Sequence, residues 1–259
     1  MIKGIQDGMT KLFFTFILTP IAILSLSGCA QTVDLRASHF AVPVVPERSF
    51  SGSVQMAAVS KTRVRLVENY QSNPPVDGAT KINEDASFKD ILFPITNLSF
   101  DLKLALAAGA EIYTQGAMFG LRWQVLNHGA GTDKWVAAIH GASGAFRSTI
   151  SVGSPPTSEA SSQVKSAQGG VSVGYRFHDV TPYVSYIYEH HDATTDVKNP
   201  GGTFGPYEDS GYHQYATFGV TSSSAGFSYG AEISSITMVW SGGATAQQTA
   251  TGLRLGWAW

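Results

Sequence analysis

The chain has a single cysteine, Cys29, so it can form no intramolecular disulfide and must be held together by packing and hydrogen bonds. Charge is scarce as well: 14% of the residues are Asp, Glu, Lys or Arg, and they nearly cancel, to −2. That balance offers no basic surface to nucleic acid, and nucleic acid is not expected as a partner. Beyond Cys29 no run approaches the roughly 20 apolar residues that a membrane helix needs. No solenoid-length repeat is visible either; what recurs is a strand-sized unit. Glycine, serine, threonine and tyrosine are abundant instead. Low charge without long apolar runs suits alternating strands with one face toward lipid and one toward water. The length fits one domain.

The alternation is clearest at the end of the chain. Thr249, Thr251, Leu253, Leu255, Trp257 and Trp259 fall on one face, and Ala250, Gly252, Arg254, Gly256 and Ala258 on the other. The same period of two runs through Leu98 to Leu106, Ala110 to Thr114, Phe119 to Val125, Val171 to Phe177, Tyr212 to Val220 and Phe227 to Ile233. Weaker units cover Phe50 to about Leu66, Trp135 to Phe146 and Tyr183 to Glu189, which makes ten in all. The connections sort by length. Those near 105–109, 128–134, 178–181 and 222–225 are short, whereas those near 67–95, 148–165, 191–210 and 237–247 are mostly long and rich in Gly, Pro, Ser and Asp. Only the connection at Gln115-Gly116 departs from the alternation.

The final strand, apolar on one face and aromatic at its tip, resembles the C-terminal strand of bacterial outer-membrane β-barrels. That resemblance implies an all-β fold, a transmembrane antiparallel up-and-down barrel of about ten strands, with eight or twelve as the neighbouring counts. It places the protein in the cell outer membrane, with membrane lipids and, through the strand ending at Trp259, the barrel-assembly machinery as partners. Short periplasmic turns and longer outer loops agree with ten strands that start and finish in the periplasm. Trp123, Tyr175, Tyr183, Tyr212, Trp257 and Trp259 are expected on the lipid-facing belt and its aromatic girdles.

Residues 1–28 read as an export signal: Lys11, then an apolar run from Leu12 to Leu24 interrupted by Pro20. Met9 begins a more usual signal than Met1. Leu26-Ser27-Gly28-Cys29 resembles the lipobox of bacterial lipoproteins, which implies a diacylglycerol on the Cys29 sulfur and cleavage just before it. Ala30 resembles the outer-membrane sorting pattern of that class. The domain reading is therefore a lipoprotein signal peptide at 1–28, a lipidated tether at 29–49 with Pro43 and Pro46, and the barrel at 50–259.

The inward face would carry Asp101, Lys103, Glu111, Arg122, Arg176, Glu232 and Arg254. A barrel near eight strands is filled by its side chains, and one of 16–18 leaves a channel. These charges fit either an ion-pair network that plugs the lumen or a narrow path for small polar solutes. Catalytic and metal-binding candidates are few. His140 and Ser143 have an odd separation and fall on opposite faces of a strand. His190-His191-Asp192 reads as solvated loop residues, because adjacent strand positions point to opposite sides. No enzyme, metal site or cofactor is expected. The leading reading is a structural or narrow-pore barrel lipoprotein with exposed loops. The competing one is a soluble, lipid-anchored β-barrel or sandwich that binds a ligand in the periplasm.

Overall fold

The computed structural model describes residues 29–47, 50–82, 98–106, 109–128, 131–224 and 226–259. The signal-peptide segment 1–28 lies outside these residues. Ten strands close into one antiparallel barrel: β2 (Gly52–Val59), β5 (Leu98–Ala105), β6 (Ala110–Gln115), β7 (Met118–Leu126), β8 (Lys134–Val152), β9 (Ser158–Arg176), β10 (Val180–Asn199), β11 (Gly202–Ser224), β12 (Phe227–Trp240) and β13 (Thr245–Ala258). Each pairs with its sequence neighbour, and β13 closes the ring on β2 with Gly252 opposite Val59 and Ala258 opposite Ser53. The backbones of Trp259 and Gly52 add a reciprocal pair of hydrogen bonds at the seam.

The alternation sets the two faces. Leu98, Phe100 and Leu102 on β5, Phe119, Leu121 and Trp123 on β7, and Leu253, Leu255 and Trp257 on β13 all point outward and are exposed. A belt of that extent on every side is far larger than any apolar patch a soluble monomer leaves open, so it faces lipid. The barrel is a transmembrane one. Tyr183 departs from the expected belt: it is only 2% exposed and points into the lumen.

The long connections expected at 148–165 and 191–210 are not loops. β8 to β11 continue through them as ladder, turning only at 153–157 and 200–201. Their Ser, Thr and Ala content resembles loop composition, yet the inward positions Ala160, Val164, Ala193 and Val197 are buried. Outward positions above Tyr188, such as Asp192 and Lys198, are polar and exposed. These hairpins therefore stand clear of the lipid belt, on the side away from the barrel's own two ends.

The N-terminal part also departs from expectation. Phe50 to Leu66 is not one wall strand, because the chain leaves the wall after β2. Ser60 donates its backbone N–H to Thr251 O and accepts from Thr251 N, and the chain then turns inward as β3 (Lys61–Val67). There it pairs with β1 (Gln31–Arg36) and with β4 (Lys81–Ile82), forming a small sheet of its own. Of the tether expected at 29–49, residues 29–47 are described, and they form a plug within the barrel: Val33, Leu35, Ala37, Phe40, Ala41, Val42 and Val45 are all at most 3% exposed. Val33 and Leu35 pack with Val64, Leu66, Val164, Ala193 and Trp240. The physical cause is that the upper lumen is apolar, lined by Ile187, Ile236 and Met238 as well, and needs an apolar partner. At about 25 cal/mol per Å² of apolar surface, leaving both sides wet would be costly.

Candidate functional site

The lumen and its plug form the candidate site. Of the seven inward charges expected from the sequence, the structure brings two together directly. Glu111 on β6 and Arg122 on β7 are cross-strand partners, with Arg122 Nη1 2.9 Å from Glu111 Oε1 and both side chains 3% exposed. The Arg122 guanidinium lies over the Tyr113 ring, 5.1 Å from its centroid.

Most of the others are held by the plug. Asp101 takes a two-pronged hydrogen bond from Arg36, Nη1 to Oδ1 and Nη2 to Oδ2, both 2.9 Å. Glu232 collects four donors. Its Oε1 accepts from Ser38 Oγ at 2.6 Å and from the backbone N–H groups of His39 and Phe40 at 2.8 and 3.0 Å. Its Oε2 accepts from Tyr183 Oη at 2.8 Å. Arg254 does not pair with Glu232. It donates to Gln55 Oε1 and Thr221 Oγ1, and its guanidinium sits 5.1 Å from the centre of the Phe40 ring. Arg176, near the other end of the plug, reaches Glu47 at 3.1 Å. Lys103 lines a cavity of about 360 Å³ at that end, together with Glu111, Arg254 and the plug residues Val42 and Val45.

The wall is built to admit the plug closely. At Gly252 a Cβ would run into Ser38 Oγ and come within 2.9 Å of the Phe40 ring, so only glycine leaves the space. Gln115 Nε2 donates to His39 O at 2.6 Å, and Gln124 Oε1 accepts from Val45 N at 2.8 Å. The ordered sequence of partners, from Ser148 at Gln31 to Arg176 at Glu47, traces a segment that runs the length of the lumen. These plug contacts were not foreseeable from strand periodicity, since residues 29–49 carry no clear alternation beyond six residues.

Above Glu232 lies a second polar cluster. His191 is buried in the lumen, 1% exposed, and is not a solvated loop residue; the strand continues through it. His190 does point outward, where it meets Asp192 at 3.2 Å. Glu189 and His191 share the inward face of β10, and His213 on β11 is directly opposite Glu189. Trp240 Nε1 donates to His213 Nε2 at 3.0 Å, His213 Nδ1 lies 3.1 Å from Tyr215 Oη, and Tyr215 Oη donates to Glu189 Oε2 at 2.9 Å. Ser166 Oγ sits 2.8 Å from His191 Nδ1. The signal available in the sequence was the Glu-x-His spacing at 189 and 191, which places both on one strand face. His140 points into the lumen and Ser143 outward, so the two do not meet.

No known protein family matches the sequence, and no curated protein does. Among solved structures, the chain is similar to Ail, the attachment invasion locus protein of Yersinia pestis, at 13% identity over 82% of this chain and all of that one, with a TM-score of 0.37. It is also similar to the N-terminal β-barrel domain of Pseudomonas aeruginosa OprF, at 10% identity over 82% of this chain and 98% of that one, TM-score 0.30. A third is the outer-membrane protease OmpT from Escherichia coli, at 9% identity over 81% and 92%, TM-score 0.35.

Proposed function

We propose that this chain is a structural outer-membrane barrel whose own N-terminal segment keeps the lumen closed, and that Cys29 carries a lipid. The observation that supports closure is the run of buried apolar residues between Val33 and Val45, anchored on Glu232, Asp101 and Gln124. The closely spaced strand ends Ala105 and Ala110, Arg176 and Val180, and Ser224 and Phe227 share one end with the two ends of the wall, which is the periplasmic end of such a barrel. Surrounding lipids are the partners of the apolar belt. Strand β13, with Trp259 at the seam, is the segment offered to the assembly machinery. Small polar solutes could cross only if the plug left, so a narrow pore is the activated state of the same reading.

Cys29 lies at the opposite, extracellular end. Its carbonyl accepts from Tyr70 N, and the Tyr70 carbonyl accepts from Asn199 Nδ2. Asn199 is eleven residues beyond Tyr188, where the outward belt ends. At about 3.3 Å per residue and a tilt of about 40°, that is roughly 28 Å above the lipid. An acyl chain spans about one leaflet, half of the ~30 Å core. From this height it does not reach the bilayer, so the barrel and not the lipid anchors the protein while the plug is in place, and burial of the acyl chains, at about 0.8 kcal/mol per methylene, favours release of the plug.

Two measurements test this. Intact mass of the mature protein should show a diacylglycerol adduct on a chain beginning at residue 29. Cys29→Ala should lose the adduct yet remain in the outer-membrane fraction; release into the soluble fraction would instead support the lipid-anchored soluble reading. In planar bilayers the wild-type protein should be closed, and deletion of residues 31–47 should produce steady conductance. Equal conductance in the two would refute the plug.

A further inference from the structure

The buried cluster above the plug has a feature that hydrogen bonding leaves unexplained. His191 Nε2 has no hydrogen-bond partner, although the ring is 1% exposed. Glu189 Oε2 is 3.8 Å away, too far for a hydrogen bond. One donor atom from each of Glu189, His191 and His213 lies within 4.8 Å of the other two, and all three residues are buried. Metal bonds of about 2.0–2.1 Å in a tetrahedron set neighbouring ligand atoms about 3.4 Å apart; Glu189 Oε2 and His191 Nε2, at 3.8 Å, are near that spacing, and the set as a whole would draw in around an ion. A purely hydrogen-bonded cluster accounts for His213 and Tyr215, and strands His191.

We propose that Glu189, His191 and His213 bind one divalent transition-metal ion of the zinc class inside the lumen. Two imidazoles and one carboxylate suit zinc, copper, nickel or cobalt, whereas magnesium and calcium prefer oxygen donors throughout. The surroundings are arranged as a metal site requires. Ser166 Oγ, 2.8 Å from His191 Nδ1, is able to accept from an Nδ1–H, the tautomer that leaves the Nε2 lone pair free for the ion. Trp240 stacks on the His191 ring at 5.8 Å and 8°, over Gly211, where any Cβ would strike the indole. Trp Nε1 is only a donor, so its bond holds His213 Nε2 as an acceptor and leaves Nδ1 as the metal-facing nitrogen. For Nδ1 to bind the ion as a neutral imidazole, its proton has to move to Nε2, so metal entry exchanges the Trp240 bond for the metal bond, while Tyr215 keeps its bond to Glu189. Glu189, His191 and Ser166 border a cavity of about 220 Å³, room for a water as a further ligand. His39 of the plug stands next to the set. Its Nε2 is 3.4 Å from Glu189 Oε2 and likewise has no hydrogen bond, so the ion would also fasten the plug.

The test uses full-length protein in detergent, stripped with chelator and dialysed against zinc, with bound metal counted by mass spectrometry. Wild type should retain one zinc per chain, and cobalt in its place should give the visible spectrum of a tetrahedral site. His191→Gln and Glu189→Gln should lose the ion. Ser166→Ala should weaken binding by about tenfold. His190→Ala, on the outward face, should bind as wild type does. Heat-modifiable migration on gels identifies folded variants, and the cobalt spectrum of wild type stands even if a ligand variant fails to assemble. Wild type that retains no zinc and shows no tetrahedral cobalt spectrum, or folded His191→Gln that binds zinc like wild type, would overturn the proposal.

Discussion

Arg122→Met is expected to destabilise the folded barrel by about 3–5 kcal/mol, the cost of leaving one member of a buried ion pair without its partner. Arg122 and Glu111 are equally enclosed, and the 2.9 Å contact between them is the ionic contact Glu111 makes among the described residues. Methionine keeps much of the volume and the stacking on Tyr113, so the loss is chiefly electrostatic. The sign reverses in the second half of the experiment. Adding Glu111→Gln to Arg122→Met removes the stranded carboxylate and should restore most of the stability, because a buried pair replaced as a unit is often nearly neutral. Urea unfolding of the two single variants and the double in lipid vesicles gives a cycle, with an expected coupling of about 2 kcal/mol or more. If the double variant loses as much as Arg122→Met alone, packing and not charge pairing explains the site.

The wall of this barrel was legible because its signal is local. A period of two needs only neighbouring residues, and β5, β7 and β13 carry it with Leu, Phe and Trp on one face and Asp, Arg or Gly on the other. Strand number and closure followed from that count. The plug was not legible, since its partners are distant in sequence: Ser38 and Glu232 are 194 residues apart, and Arg36 and Asp101 are 65 apart. One hint was available and points the same way. Val164, Ile187, Ile236 and Met238 are apolar at inward positions, where an open aqueous lumen would have polar residues. Such residues call for an apolar filling. The same tertiary cause hid the histidine cluster, because a strand that continues beyond the membrane has the composition of a loop. Glu189, His191 and His213 become neighbours only once β10 and β11 are paired in register.

Leu253→Arg should give the second large effect, a loss of about 2–4 kcal/mol in folding stability, with the cost set by depth in the bilayer. Trp257 packs edge-on against Phe227 at a distance of 4.5 Å and marks the aromatic girdle at the end of the barrel where the wall begins and closes. Leu253 is four residues further along the same outward face, which at the usual tilt brings it about 10 Å inward, near the midplane. Leu255 lies between them. The expected order of damage is therefore Leu253→Arg, then Leu255→Arg, then Trp257→Arg, as the guanidinium gains reach to the interface. A soluble barrel or sandwich predicts no such gradient, because all three side chains would then be in water. The inward control has to be chosen with care. Gly256 alternates with these residues, but a Cβ there would approach Ser228 Oγ to 2.7 Å and Gln55 Cγ to 2.8 Å, so Gly256→Ser is not neutral. Ala258 borders the cavity beside Lys103 and Arg254 and already carries a Cβ, so Ala258→Ser should change stability by less than about 0.5 kcal/mol. Unfolding in bilayers of two thicknesses sharpens the result: a thicker core should deepen the loss at Leu255 more than at Leu253, which is already near the middle. Three equal losses, or losses indifferent to bilayer thickness, would place the face of Leu253, Leu255 and Trp257 in water.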